Sequence, residues 1–462
     1  MFRLFKHYVP YPVLLLAVFD CVILFASAEL AWVIRAHQIG MAVGSLFDRL
    51  PPLISFAIAL QLAMIAVGVY GVDSFQSLRF AAARLLVAIC LGVIFLSVTY
   101  FLIPGKTLWR SNSLYAMAIA FASLVVVRAL LGKTLGSGAF KRRVLVLGAG
   151  QRANRLNKLA EAKGAAFTVV GNVDMGDVTS VIPTAVPRQF IHNLVEYVGR
   201  LGANEVVLAL EERRKAIPMD DLLRVRTAGI HVNEISTFLE RETGRVDLRS
   251  TNPSWLIFSD GFSSGRRLSS FAKRVFDIVA SSVLLLACLP LILFTAILVK
   301  LDSRGPAFYR QSRVGLYGQE FAIIKLRSMR TDAEIAGQAV WAEENDPRIT
   351  RVGRIIRRIR VDELPQLWTV LRGGMSFVGP RPERPSFVAE LAQKMPYYAE
   401  RHMVKPGITG WAQINYPYGA NLDDARHKLE YDLYYAKNYT PFLDVVILLQ
   451  TFRVVLFPSG AR

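Results

Sequence analysis

Lys273-Arg274-Val-Phe-Asp277-Ile278-Val-Ala-Ser-Ser-Val-Leu-Leu-Leu-Ala-Cys-Leu-Pro290-Leu-Ile-Leu-Phe-Thr-Ala-Ile-Leu-Val299-Lys300 is the stretch on which the architecture turns. From Ile278 to Val299 it is apolar and long enough to cross a bilayer core, which takes about 20 residues. Pro290 stands in its middle, where it removes a backbone donor and bends a helix. Lys273 and Arg274 precede the segment, and Lys300 and Arg304 follow it. Basic residues at both ends favour the cytoplasmic side for both. The expected element is a Pro290-broken helical hairpin that enters one leaflet and returns. An ordinary kinked fifth span is the alternative.

Toward the N-terminus lie four more apolar segments, Pro12 to Ile34, Leu53 to Val72, Ala82 to Ile103 and Ser113 to Leu131, each near the length of a bilayer span. With 53% hydrophobic residues among 462, the chain is too apolar for an ordinary soluble protein of this size. The first segment is not a cleavable leader, because no small-residue cleavage site follows it and further spans do. Arg128, Lys133, Lys141, Arg142 and Arg143 come at or after the end of the fourth segment, whereas Arg49 and a few others oppose them weakly, so both ends of residues 1–140 are expected in the cytoplasm. Asp20 and Glu29 are costly inside a span. They either contact a partner helix or oligomer, or are protonated or snorkel to the interface, the second being favoured. Cys21, Cys90 and Cys288 all lie in apolar runs without metal-ligand spacing and read as packing.

Residues 141–262 change to an α/β pattern. Val144-Leu-Val-Leu147 reads as a buried strand running into Gly148-Ala-Gly150-Gln-Arg-Ala153, a glycine turn before a helix. Further strands are expected at Phe167 to Val170, Glu205 to Leu210 and Ile230 to Ile235, which makes a Rossmann-like domain. The turn either cradles a phosphate or is simply a tight strand-to-helix connection. Asp174 matches the expected ribose-binding acid only loosely, so the structural or regulatory reading is taken.

Asp362-Glu363-Leu364-Pro365-Gln366 carries the chemistry. Five arginines, Arg351, Arg354, Arg357, Arg358 and Arg360, precede it, and Gly379-Pro380-Arg381-Pro382-Glu383 follows it. Adjacent carboxylates beside fixed positive charge suit phosphoryl transfer, which needs an oxygen nucleophile or metal ligand and cations for the phosphate oxygens. On a helix, Val352, Ile355, Ile356 and Ile359 share one face and the arginines the other. An interfacial helix on anionic lipid has the same pattern. Arg357 is expected to face the site, and Arg351, Arg354 and Arg358 the lipid phosphates. The net charge of +19 points to anionic partners.

From about Lys273 to its end the chain resembles the bacterial sugar transferase domain of the monotopic phosphoglycosyl transferases. The matching stretches are Lys273-Arg274-x-x-Asp277, Gly305-Pro-Ala-Phe-Tyr-Arg310-Gln311, Arg313-Val-Gly315, Lys325-Leu-Arg327-Ser-Met329, Asp346-Pro-Arg348, Asp362-Glu363-Leu-Pro-Gln366, Met375-Ser-Phe-Val-Gly-Pro-Arg381-Pro-Glu383, Lys405-Pro-Gly407-Ile-Thr-Gly-Trp411 and Tyr431-Asp432-x-Tyr-Tyr435. Four spans plus a Rossmann-like, CoA-binding-like domain ahead of residues 263–462 resemble the large form of that family. Phe238 to Arg245 and Pro253 to Gly261 resemble members found with PEP-CTERM and exosortase exopolysaccharide systems. One departure is Leu289-Pro290, where the family often has Ser-Pro.

The resemblance implies a membrane protein of α plus α/β class whose mainly helical catalytic domain carries the re-entrant helix. It implies that Asp362 attacks the β-phosphate of a UDP-sugar, releases UMP and passes the phosphosugar to undecaprenyl phosphate in the first membrane step of exopolysaccharide or O-antigen synthesis. Glu363 is then a metal ligand or general base, with Mg2+ held by Asp362 and Glu363. Lys325, Arg327, Arg357 and Arg381, with Pro382 and Glu383, would contact substrate, Arg381 reaching either phosphate or uridine. His402 and Tyr431 read as packing. The implied setting is the bacterial inner membrane, multi-pass, with the catalytic domain cytoplasmic, lipid partners and a possible homo-oligomer. The transferred sugar is not legible.

Other classes fit less well. A membrane-anchored sugar-nucleotide dehydratase relies on Tyr-x-x-x-Lys, and none of the 16 tyrosines has a lysine four residues on. A non-catalytic scaffold has no need for Asp362-Glu363, Arg381 and Lys325 together. Nucleic acid is not expected, because the basic residues interleave with aliphatics rather than exposed aromatics.

Overall fold

The computed structural model describes residues 2–4, 7–9, 11–70, 78–103, 108–134, 141–162, 165–212, 217–249, 267–331, 347–416 and 421–456. The stretch Pro253 to Gly261, Asp346 and the domain boundary expected near residue 262 lie outside them. Two compact units are present, essentially Tyr8–Thr251 and Asn252–Arg462.

In the first unit, α1 (Tyr11–Gln38), α2 (Leu46–Val67), α3 (Leu78–Leu102) and α4 (Arg110–Thr134) are long and apolar enough to cross a membrane. Helix α1 packs on α2 and α4, and α3 packs on the same two. The second helix begins seven residues before the expected Leu53. Ser45 accepts the Asp48 amide there as an N-cap, and Pro51 and Pro52 are carried inside the helix. It also stops short of Val72, because Gly68 takes a left-handed φ of 75° and closes the last turn.

The two acids in α1 are neither left to the interface nor unpaired. Asp20, fully buried, accepts Arg128 Nη1 at 3.1 Å and Nη2 at 2.5 Å, together with the Tyr70 hydroxyl at 2.9 Å. Gln61 Nε2 in turn donates to that hydroxyl at 2.9 Å. Glu29 meets Arg49 Nη1 at 2.5 Å. These pairs correct the snorkelling or protonated reading, and they remove Arg128 and Arg49 from the count of topogenic loop charges. In a medium that solvates charge poorly, a two-pronged partner is what lets the carboxylate stay. Replacing Asp20 with alanine strands Arg128 and should cost about 3 to 5 kcal/mol of bundle stability. Thermal unfolding in detergent is the check. A shift indistinguishable from a surface substitution would count against the pair, and Asp20→Leu with Arg128→Leu should recover much of the loss.

The rest of this unit is a parallel five-stranded sheet. Its elements are β1 (Arg142–Leu147), α5 (Gln151–Glu161), β2 (Phe167–Asp174), β3 (Val186–Pro187), α6 (Leu194–Arg200), β4 (Glu205–Leu208), α7 (Met219–Thr227), β5 (His231–Glu234) and α8 (Ile235–Thr243). The strand order is β3-β2-β1-β4-β5, a doubly wound arrangement. Both faces are covered, which explains the unbroken apolar run of β1. Val144 and Val146 pack with Leu156 and Phe238, and Leu145 and Leu147 with Leu194 and Val225.

The second unit opens with α9 (Arg267–Asp302), helical without interruption through Pro290. An antiparallel hairpin follows, β6 (Phe308–Val314) on β7 (Glu320–Leu326). Then come α10 (Arg351–Arg358), a 3-10 turn (Val361–Glu363), α11 (Gln366–Arg372), β8 (Ser376–Val378), α12 (Pro385–Lys394), β9 (Gly407–Thr409, parallel to β8), α13 (Trp411–Asn415), α14 (Leu422–Asn438) and α15 (Pro441–Leu456).

Both ends of α9 are fastened to this unit. At the start, Lys273 Nζ reaches the Val378 carbonyl, the Tyr435 hydroxyl and Asp444. Arg274 caps α11 at the Val370 and Leu371 carbonyls, and Asp277 accepts the Ser376 hydroxyl and the Phe377 amide. At the far end, Val299 joins Leu326, Ile356 and Val361 in one buried cluster, and Asp302 accepts the Val352 amide at 3.0 Å.

Candidate active site

Helix α10 starts where Thr350 accepts the Gly353 amide, and Gly353 lies so close to the Ser328 carbonyl that a Cβ there would collide with it. Ile356 is buried and Val352 half-buried, but Ile355 and Ile359 are 62% and 60% exposed. The four apolar residues therefore do not share one buried face. Only the Ile356 side of the stripe is covered, by Val299 and Leu326, and the rest stays open beside the exposed Arg351, Arg354 and Arg358. Arg360 adopts a left-handed φ of 60°, which ends the helix and turns Val361 into the core.

That turn delivers Asp362 and Glu363 into one polar recess. Asp362 is 7% exposed, and its Oδ1 is buried without a hydrogen-bond partner. Glu363 Oε1 is held by Lys325 Nζ at 2.8 Å and Arg381 Nη2 at 3.0 Å, with Arg360 Nη1 at 3.8 Å. The two carboxylates consequently diverge in acidity. Burial raises Asp362 and the neighbouring Glu363 charge adds to it, against an opposing pull from Lys325, Arg357 and Arg360. Burial alone would raise Glu363 too, but Arg381 and Lys325 together outweigh it and hold that carboxyl far below the usual range. Lys325 is itself pushed down by burial and by Arg381, with Glu363 opposing.

Lys325 comes from β7 and Arg381 from the loop after β8. Four consecutive carbonyls of that loop are anchored from outside. Pro380 O accepts Gly407 N at 2.9 Å, Arg381 O accepts Arg401 Nη2 at 2.9 Å, Pro382 O accepts Arg313 Nη1 at 3.2 Å, and Glu383 O accepts Val314 N at 2.9 Å. The Glu383 carboxylate also lies 3.6 Å from Arg313. Gly379 and Gly407 permit this, since a side chain at either would run into the facing backbone. Lys325 and Arg381 thus meet on Glu363, Arg357 and Arg360 act on the charge of Asp362, and Pro382 and Glu383 follow Arg381 in the anchored loop. Sequence reasoning gave Arg360 no place in the site, and it overlooked Arg401. His402 is buried and depressed to about 4 by burial and the adjacent Arg401, so it is neutral at pH 7.

Residues 268–458 match the family model described as bacterial sugar transferase. Over 385 residues the chain is 32% identical to the undecaprenyl-phosphate galactose phosphotransferase of Salmonella typhimurium, 77% of each chain being covered. The chain belongs to the bacterial sugar transferase family. It is also 43% identical over 241 residues to the UDP-N-acetylgalactosamine-undecaprenyl-phosphate N-acetylgalactosaminephosphotransferase of Aeromonas hydrophila, covering 52% of this chain and 56% of that one. With the undecaprenyl-phosphate glucose phosphotransferase of Komagataeibacter xylinus it shares 45% identity over 194 residues, 41% of this chain and 36% of that one. The match thus spans less than two thirds of the length of these last two relatives.

One further expectation is revised by the geometry, that for Arg327, while the structural reading of the glycine turn agrees with it. Arg327 stands apart from the recess. Its Nη1 donates to the Arg304 carbonyl at 2.9 Å, and its Nη2 to the Ser303 carbonyl at 2.7 Å and hydroxyl at 3.0 Å. It closes the C-terminal end of α9, where a cation complements the helix dipole, and both Nη atoms donate there rather than toward Glu363. The glycine turn of the first unit is filled by the protein itself. Glu211 Oε1 accepts the Arg152 amide at 2.7 Å in the first turn of α5. A Cβ at Gly150 would meet Glu211 Cγ at 2.8 Å and Val178 Cγ2 at 2.9 Å. Asp174, at the end of β2, spends Oδ1 on the Gly176 amide.

No group of three or more His, Cys, Asp or Glu side chains suited to a metal occurs among the described residues. A magnesium ion asks less of the protein, one or two carboxylates with substrate phosphates and water completing its shell. The unpartnered, buried Asp362 Oδ1 fits that demand. Glu363 is the weaker ligand of the two, because Lys325 and Arg381 already share its Oε1.

As the cap of α9, Arg327 should matter for stability. Arg327→Met should destabilise the protein by about 2 to 3 kcal/mol through lost charge-assisted hydrogen bonds. Denaturant or thermal unfolding of the purified protein measures this. Unchanged stability would return Arg327 to the list of substrate contacts.

Proposed function

We propose that this membrane protein is an undecaprenyl-phosphate sugar phosphotransferase that takes a sugar 1-phosphate from a UDP-sugar. The observation that carries the reading is the contrast within Asp362-Glu363. One carboxylate is pinned and neutralised by two cations, while the other keeps a buried oxygen with no partner. An oxygen in that state is desolvated, close to cations and uncommitted, as a nucleophile on phosphorus should be. A scaffold subunit gains nothing from it.

In this reading Asp362 attacks the β-phosphorus. The new carboxylate–phosphorus bond forms as the bond to the bridging oxygen breaks, and UMP leaves with that oxygen. A phosphate oxygen of undecaprenyl phosphate then attacks the same phosphorus, releasing Asp362 and giving undecaprenyl diphosphate sugar. Arg357 and Arg381 meet the diphosphate oxygens, and Pro382 and Glu383 border the uridine side. Lys325 and Arg381 hold Glu363 ionised, which suits it to steady the cations and makes it a poor general base. The Asp362 oxygen that does not attack, and to a lesser degree Glu363, would hold Mg2+, which would supply charge neutralisation at the phosphates. The three relatives named above carry galactose, N-acetylgalactosamine and glucose in their names, so the reading stops at the class of sugar nucleotide.

Topology follows from α9. Proline in the middle of α9, basic residues at both its ends and the attachment of both ends to one unit support a re-entrant helix that returns to the face it left. Asp362 would then lie in the cytoplasm at the inner membrane, where sugar nucleotides are available, in the opening step of exopolysaccharide or O-antigen assembly.

Asp362→Asn should abolish both turnover and the covalent phosphosugar, as an amide is a far weaker nucleophile. Mass spectrometry after incubation with donor alone reads the adduct, and a normal adduct on the Asn variant would sink the assignment. The pH profile gives a separate check. Asp362 must be ionised to attack and its affinity for the proton is raised, so activity should fall with decreasing pH at a midpoint above the ordinary aspartate value near 4. A midpoint at or below that value contradicts it.

A further inference from the structure

Arg401 lies in none of the recurring motifs, yet it holds the main chain of the arginine that reaches Glu363. Its guanidinium is 5% exposed and its partner Asp432 is 3% exposed. Nε and Nη2 both donate to Asp432 Oδ2, at 3.1 and 2.7 Å, and Nη1 donates to the Tyr398 hydroxyl at 2.9 Å. Nη2 also donates to the Arg381 carbonyl at 2.9 Å. A continuous path therefore runs from Asp432 through Arg401 to the backbone of Arg381, and from the Arg381 side chain to Glu363 at 3.0 Å.

Three observations make this more than packing. A buried ion pair adds little net stability over an apolar replacement, so stability alone does not account for it. Pro380 and Pro382 flank Arg381 and have no N–H, and four carbonyls of the loop are fixed instead, Arg401 taking the one that belongs to Arg381. The branched, planar guanidinium serves Asp432, Tyr398 and that carbonyl from three separate nitrogens in one plane, which a compact ammonium does not reproduce.

We propose that Arg401 and Asp432 are positioning residues that set the Arg381 guanidinium against Glu363 and the donor diphosphate. The kinetic arm rests on the transferase reading above. Arg401→Lys keeps the charge but not the fork. It should leave the melting temperature within about 5 °C of the parent, and it should raise the donor KM about tenfold, the scale of one charge-assisted hydrogen bond, with a much smaller change in kcat. In the Arg381→Lys background the same change should add less than about twofold, because neighbours acting through one another are not additive. Full additivity overturns the proposal, since a general structural defect multiplies with any other.

A second arm needs no substrate. In a cryo-EM map of the substrate-free Arg401→Lys variant, the Arg381 guanidinium should have left Glu363, and if it stays within hydrogen-bond distance the proposal fails. Should Arg401→Lys not fold, Asp432→Asn, which keeps an acceptor oxygen, takes its place with the same two readings. A parent protein that releases no UMP from any sugar nucleotide would end the transferase reading, and the map alone would then decide the positioning role.

Discussion

A single oxygen, Oε1 of Glu363, accepts Lys325 from one side and Arg381 from another, and the surrounding structure is arranged so that both can arrive. Lys325 sits in register in a hairpin whose other strand carries Arg313 and Val314, the donors that fix the Pro382 and Glu383 carbonyls. Arg381 follows a short strand laid parallel to Gly407–Thr409. Glu363 is brought to them by the left-handed residue Arg360. Because the two cations are spent on Glu363, the adjacent Asp362 keeps an oxygen that nothing claims. Adjacent acids with opposite fates are the physical content of the Asp-Glu pair.

Local features of the sequence were legible because they depend on local rules. The apolar segments, Pro290 in mid-helix, the glycine turn and the crowding of arginine before Asp362 need only chain periodicity and turn chemistry. What stayed hidden depends on partners far along the chain. Asp20 and Arg128 are 108 residues apart, and nothing near either announces the other. Arg327 and Lys325 differ by two positions and read alike as phosphate contacts, but Lys325 faces Glu363 while Arg327, just past the end of β7, caps α9. Asp432 could be quoted as part of a motif, but its use required knowing that Arg401 would be folded against it. The α10 stripe misled for a related reason, since periodicity gives the apolar face and not how much of it another element covers.

The glycine turn of the first unit shows a motif that is structurally sound and chemically occupied. Gly148 and Gly150 make the turn, α5 begins where a phosphate-binding helix would, and Asp174 ends β2 where a ribose acid would stand. Glu211 nevertheless supplies the negative charge that the first turn of α5 favours, and Val178 fills the space beside Gly150. Asp177 steadies this arrangement by accepting the Glu211 amide at 2.7 Å. The fold has kept the geometry of an anion site while providing the anion itself.

The fastening of α9 has a mechanical meaning. Its first turns hold the strand three residues ahead of Arg381, through Lys273 and Asp277, and its last turns hold the wall that presents Asp362, through Val299 and Asp302. Among the described residues of this unit, α9 is the helix long and apolar enough to cross a membrane, and it acts as a calliper whose two jaws carry Arg381 and Asp362. Hydrocarbon thickness and lateral pressure would act on the span of that calliper, and their changes would be felt as altered spacing between Asp362 and Arg381. Bilayer thickness would then bear on that spacing, a dependence that turnover in nanodiscs of graded acyl-chain length would expose or exclude.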